Sequence, residues 1–89
     1  MNKVNVKYRG HLVSLTNCSQ ETLDLGSNES ADVNDVLKMI RKQYGKDADK
    51  AARTMLITLD GESIHLLNGY KTVLKEGDVV AFFPVCAGG

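Results

Sequence analysis

Val79-Val80-Ala81-Phe82-Phe83-Pro84 (residues 79–84) opens with an unbroken apolar run of strand length. A strand that is apolar on both faces belongs inside a sheet, because at an edge it invites aggregation. Pro84, the only proline of the chain, lacks a backbone N–H and marks where pairing stops. Lys75-Glu76-Gly77-Asp78 turns the chain into this run, and Asn68-Gly69 makes an earlier turn. Before that, residues 55–59 read as a strand closed by Asp60-Gly61, a hairpin turn pair, and residues 62–66 continue as a short strand.

A sheet built around such a strand needs a covering layer. Val33, Val36, Leu37, Ile40 and Tyr44 fall at i, i+3, i+4, i+7 and i+11, one stripe of a 3.6-residue helix. Asp32 suits the N-cap, with Ser30 as a rival, and Asp35 suits the positive end of the helix dipole. Lys38, Arg41 and Lys42 favour the opposite end, where Gly45 can take the left-handed terminating conformation. Residues 46–53 (KDADKAAR) read as a short helix or a solvated loop. Near the start, Val4, Val6 and Tyr8 alternate with Asn5 and Lys7, the pattern of a half-buried strand. Arg9-Gly10 breaks it, and residues 12–17 read as a loop with a helical turn. Leu23 and Leu25 alternate with Thr22 and Asp24, giving a second strand antiparallel to the first and ending at Gly26-Ser27-Asn28. The expected fold class is α+β, a mixed sheet with one main helix across one face.

Eighty-nine residues make one domain, able to bury about 64% of its unfolded surface. Eleven Lys and Arg balance eleven Asp and Glu, so no global field recruits nucleic acid. The opening residues alternate instead of running apolar, so no signal peptide is expected. Residues 79–89, the longest stretch free of ionisable side chains apart from the Cys86 thiol, fall short of the roughly 20 residues a membrane span needs. Cys18 and Cys86 fit neither a disulfide scaffold nor a zinc motif, and both are expected as reduced thiols in the cytoplasm. His11 and His65 have no second ligand at metal spacing and read as surface or strand histidines. Asp24, Asp32 and Asp35 read as turn and cap residues. With no nucleophile elbow and no glycine-rich phosphate loop, neither an enzyme nor a metal or cofactor site is expected.

The chemistry lies instead at the end, Pro84-Val85-Cys86-Ala87-Gly88-Gly89. Two terminal glycines arise by chance about once in 200 chains. Glycine has no Cβ, so Gly88-Gly89 suits a channel where backbone must approach another molecule closely. Extended, residues 84–89 span roughly 20 Å, enough to reach into a partner's pocket. The carboxylate is ionised at neutral pH and is a poor electrophile, so acyl chemistry requires prior activation, with adenylation by ATP on another protein the obvious route. The plainer reading is a terminus that happens to end in glycine.

Leu67-Asn68-Gly69, Leu74-Lys75-Glu76-Gly77-Asp78-Val79-Val80-Ala81-Phe82-Phe83-Pro84 and Ala87-Gly88-Gly89 together resemble the small subunit of molybdopterin synthase, one of the MoaD/ThiS-like β-grasp sulfur carriers. The resemblance is sharp over the last third of the chain and a matter of pattern elsewhere. It implies a ubiquitin-like β-grasp domain over residues 1–84 and a C-terminal diglycine tail over residues 85–89. It also implies that an E1-like ATP-dependent adenylyltransferase activates Gly89. A sulfur donor such as a cysteine desulfurase would then leave a thiocarboxylate there. The tail (Val85, Cys86, Ala87, Gly88) would enter the large subunit of molybdopterin synthase and deliver sulfur to precursor Z. The resemblance leaves open a carrier for cysteine or thiamine synthesis, and a ubiquitin-like modifier joined to lysines through Gly89.

Where the family often has a second proline and then valine, this chain has Val85 and Cys86, which makes the tail less stiff. Cys86 reads as a small tolerated side chain, or more sharply as a thiol able to capture the activated carbonyl or a persulfide. Likeness to ubiquitin suggests that Val80 and Phe82 face the helix while Ala81 and Phe83 face outward. Phe83, Pro84 and Ala81 are thus the expected partner interface.

Overall fold

The computed structural model describes residues 2–85. The apolar run forms strand β5 (Val79–Phe83), and it lies inside the sheet. Strand β1 (Lys3–Lys7) pairs with it in parallel on one side, and β3 (Leu56–Leu59) pairs antiparallel on the other. Strands β2 (Gln20–Asp24) and β4 (Glu62–Ser63) complete the five-stranded order β2-β1-β5-β3-β4. This mixed, helix-covered sheet is a ubiquitin-like β-grasp.

Alternation in β5 separates two sets of side chains. Val80 and Phe82 are fully buried with Val4, Val6 and Ile57 under the helix stripe, whereas Phe83 is 38% exposed on the opposite face. Helix α2 (Val33–Tyr44) supplies Val33, Val36, Leu37 and Ile40, all fully buried. Its start is fixed by a reciprocal capping box. The Asp32 carboxylate accepts from the Asp35 backbone N–H at 3.1 Å, and Asp35 accepts from that of Asp32 at 2.9 Å.

Several expectations need correction. Residues 12–17 are mostly helical. Helix α1 (His11–Thr16) is ended by Asn17 in the left-handed region at φ 59, and its Leu12 is fully buried. Residues 46–53 take the helical one of their two expected forms, α3 (Lys46–Arg53); what was not expected is that Ala48 and Ala52 join the core. Gly45 has positive φ (96) but extended ψ (175) instead of the left-handed helical pair, because it caps α2 and starts α3 at once. The short strand stops at Ser63. Residues 64–66 turn into a 3₁₀ helix that buries Ile64 and leaves Leu66 76% exposed.

The Asp60-Gly61 pair makes the expected two-residue hairpin loop, with positive φ at both residues (51 and 89). Asp60 does more than turn the chain. Its carboxylate accepts the Val79 N–H at 2.8 Å, tying the hairpin to the first residue of β5.

Candidate functional site

The site is the rim where β5 ends and the chain continues as Pro84-Val85. Phe83, the last strand residue, stands directly opposite Leu56 in the antiparallel register, and both are partly exposed (38% and 37%). With Val85, 61% exposed, they place apolar surface at the root of the tail. Ala81 also faces away from the core, but it is only 6% exposed between its register partners Lys7 and Thr58. Its share of any contact surface is therefore small. Pro84 is exposed. Cys86, Ala87, Gly88 and Gly89 lie outside the described residues.

Pro84 rests on Gly10, which in the sequence carries only the signal of a break. Gly10 has φ 61 and ψ −141, and a Cβ placed there would lie 3.1 Å from Pro84 Cγ. This backbone region is essentially reserved for glycine. Gly10→Ala is expected to cost about 1–3 kcal/mol and to displace Pro84. Urea denaturation of the variant, with Pro84 shifts followed by NMR, checks both effects. A groove of about 410 Å³, lined by His11, Ala51, Thr54, Met55, Pro84 and Val85, runs beside the same point.

The strand beneath is firmly held. The Tyr8 ring lies 6.1 Å from that of Phe82 and 6.4 Å from that of Tyr44. The Tyr8 and Tyr44 hydroxyls both donate to Glu21 Oε2 at 2.6 Å, joining the residue that follows β1 to β2 and α2. Cys18 is a free thiol whose Sγ lies 3.8 Å from Thr16 Oγ1. Burial first, and the Glu21 carboxylate second, push the Tyr8 hydroxyl above the ordinary tyrosine range, and Tyr44 moves the same way for the same causes. Unfolded tyrosine ionises near pH 10 while folded Tyr8 keeps its proton. Stability is thus complete below about pH 10 and falls above it, by up to about 1.4 kcal/mol per pH unit for Tyr8. Urea midpoints between pH 8 and pH 11 should show the loss, and Tyr8→Phe should reduce it to the part that Tyr44 contributes.

Among the described residues no group of His, Cys, Asp and Glu could hold a metal ion, and no helix is long and apolar enough to cross a membrane. His11 and His65 are both exposed. Asp32 and Asp35 are occupied as caps, and Asp24 accepts the Gly26 N–H at 2.8 Å. What the arrangement can do is hold a short chain segment at a fixed place and direction for another molecule.

A five-stranded mixed sheet under its helices, with the central strand ending at an apolar rim, defines a ubiquitin-like β-grasp protein. Residues 6–89 match the ThiS family, and the chain belongs to that family as a ubiquitin-fold sulfur carrier of the ThiS and MoaD kind. No curated protein sequence matches it. Among solved structures it is similar to a Pyrococcus furiosus protein assigned as subunit 1 of molybdopterin converting factor, at 26% identity and TM-score 0.77, covering 97% of this chain and 100% of that one. Small archaeal modifier protein 1 from Methanosarcina acetivorans shares the fold at 24% identity and TM-score 0.80, over 100% of this chain and 98% of that one. Subunit 1 or 2 in the Helicobacter pylori molybdopterin-converting factor complex shares it at 18% identity and TM-score 0.64, over 98% of this chain and 99% of that one.

Proposed function

We propose that this chain is the small, sulfur-carrying subunit of a molybdopterin synthase, with residues 1–84 as its body and 85–89 as its working tail. An E1-like adenylyltransferase joins the Gly89 carboxylate to AMP and releases pyrophosphate. The outer sulfur of a persulfide on a donor such as a cysteine desulfurase displaces AMP to give an acyl disulfide. A second thiol cleaves it, leaving a thiocarboxylate on Gly89 and a disulfide between the two thiols. Within the large subunit that sulfur passes to precursor Z, and water returns Gly89 to the carboxylate. Gly88 supplies bare backbone for the channel, and Phe83, Pro84 and Val85 meet the partner around its mouth.

The observation that carries this reading is a diglycine end following a central strand that stops at Pro84. The likeness to the Pyrococcus protein supports the molybdopterin branch, and the Helicobacter complex is an instance of such a subunit with its partner. On this reading the side chains that catalyse each step belong to the partners, and the protein works in the cytoplasm.

Intact mass of the protein from its own host tests the proposal. A sulfur-for-oxygen increase localised to Gly89, lost on incubation with the large subunit and precursor Z, is the expected result. Loss of that sulfur to a cysteine or thiamine pathway acceptor instead would move the protein to another branch. An unshifted mass with a ladder of lysine-linked species would make it a modifier. Neither shift nor ladder, with ATP and the activating enzyme present, would leave a binding module.

A further inference from the structure

The sheet's two edges are finished differently. β4 is only Glu62–Ser63 before the chain turns away, whereas β2 runs over Gln20–Asp24 with β1 as its sole strand neighbour. The backbone bonds Tyr8 N–H to Ser19 O and Leu25 N–H to Asn2 O, both 2.8 Å, set the phase of the β1–β2 ladder. Val4–Leu23 and Val6–Glu21 are then the hydrogen-bonded pairs. The N–H and C=O groups of Gln20, Thr22 and Asp24 therefore point away from β1 into the open edge, and all three residues are exposed. Edges are commonly blunted by charge, above all lysine, by proline or by a bulge. Gln20-Glu21-Thr22-Leu23-Asp24 contains no lysine or proline, its register with β1 is unbroken, and Asp24 is the one charge among its outward residues. The carboxylate of Glu21 is turned inward, held by the two tyrosine hydroxyls.

We propose that β2 pairs antiparallel with β2 of a second copy of this chain, about a twofold axis through Thr22. In that register Thr22 faces its own counterpart, Gln20 faces Asp24 and Glu21 faces Leu23, so no like charges stand opposite. All three outward residues fall in hydrogen-bonded pairs, on the order of six bonds in total. Sliding the register by two residues either way leaves Gln20 or Asp24 outside the matched set. Threonine opposite threonine is a favourable cross-strand pair. The contact is an edge and not a face, which places it among weak interfaces, with dissociation at roughly 0.1–1 mM. Because β1 separates β2 from β5, the end of β5 at Phe83 stays clear in both copies.

The test is amide exchange and sedimentation of the full chain between about 20 μM and about 2 mM, a range spanning that dissociation constant. Exchange at Gln20, Thr22 and Asp24 should slow severalfold as concentration rises, with Glu21 and Leu23, already bonded to β1, unchanged. Thr22→Lys sets two cations together on the axis and should give a monomer throughout. Mixing Thr22→Lys with Thr22→Glu should restore pairing, which excludes misfolding as the cause of the loss. A monomer at the highest concentration, exchange at the three amides independent of concentration, or association that survives Thr22→Lys would overturn the proposal. Sulfur loading at Gly89 is untouched by any of these outcomes.

Discussion

One alanine added after Gly89 is expected to abolish sulfur loading while leaving the urea midpoint unchanged. The extra residue moves the carboxylate by up to about 3.5 Å and puts a methyl group where the proposed channel accepts only backbone. Misplacement of a reacting group by 1 Å can already cost about 100-fold, so loading should fall at least that far. Mass spectrometry after incubation with ATP, the adenylyltransferase and a sulfur donor measures it. Gly88→Val, which keeps the length, should retain the fold and lose most transfer through steric bulk alone. Loading at the parent rate in the extended chain would remove Gly89 from the chemistry.

Phe82→Ala and Phe83→Ala should separate the fold from its use. Phe82 is fully buried, with its ring 6.1 Å from that of Tyr8. Truncating it leaves a cavity at the centre of the sheet and should cost about 3–5 kcal/mol. Total stability for a domain this small is on the order of 5–15 kcal/mol, so the variant would be partly unfolded at 37 °C or close to it. Phe83 is 38% exposed and outside the buried core cluster. Its loss should cost under about 1 kcal/mol of stability but weaken binding to the partner enzyme by about 10-fold or more, as expected of an aromatic anchor. Urea titrations and a binding isotherm on the two variants give the comparison. A larger stability loss from Phe83→Ala would contradict the packing seen here.

The elements legible in the sequence were those whose physics is local or strongly periodic. Helix α2 carries five apolar residues on one stripe and a cap written into Asp32 and Asp35. Asp60-Gly61 has the two positive φ angles that its composition requires. The position of β5 followed from its being apolar on both faces. Alternation alone could not assign the two faces, since Phe82 and Phe83 are chemically identical. The structure separates them through the layer above.

The features that the sequence does not show depend on contacts between distant residues. Ala48 and Ala52 carry almost no hydrophobic signal, yet both are fully buried. Helix α1 spans only six residues and has no side-chain N-cap. Gly10 meets Pro84 across 74 positions of sequence, and only the parallel pairing of β1 with β5 brings them together. Of the candidate site, Phe83 and Pro84 were legible as the point where an apolar run meets the only proline. Leu56 became part of the site only through the register that sets it opposite Phe83.

The parallel pairing of β1 and β5 has a mechanical consequence. β1 begins next to the N-terminus, and β5 runs beside it in the same direction toward the tail. Tension between the tail and the start of the chain would load the ladder bonds in shear, all at once, and not peel them one by one. The antiparallel bonds to β3 add a second clamp. A partner that grips residues 85–89 and pulls can thus draw on the tail without unravelling the body that delivers it.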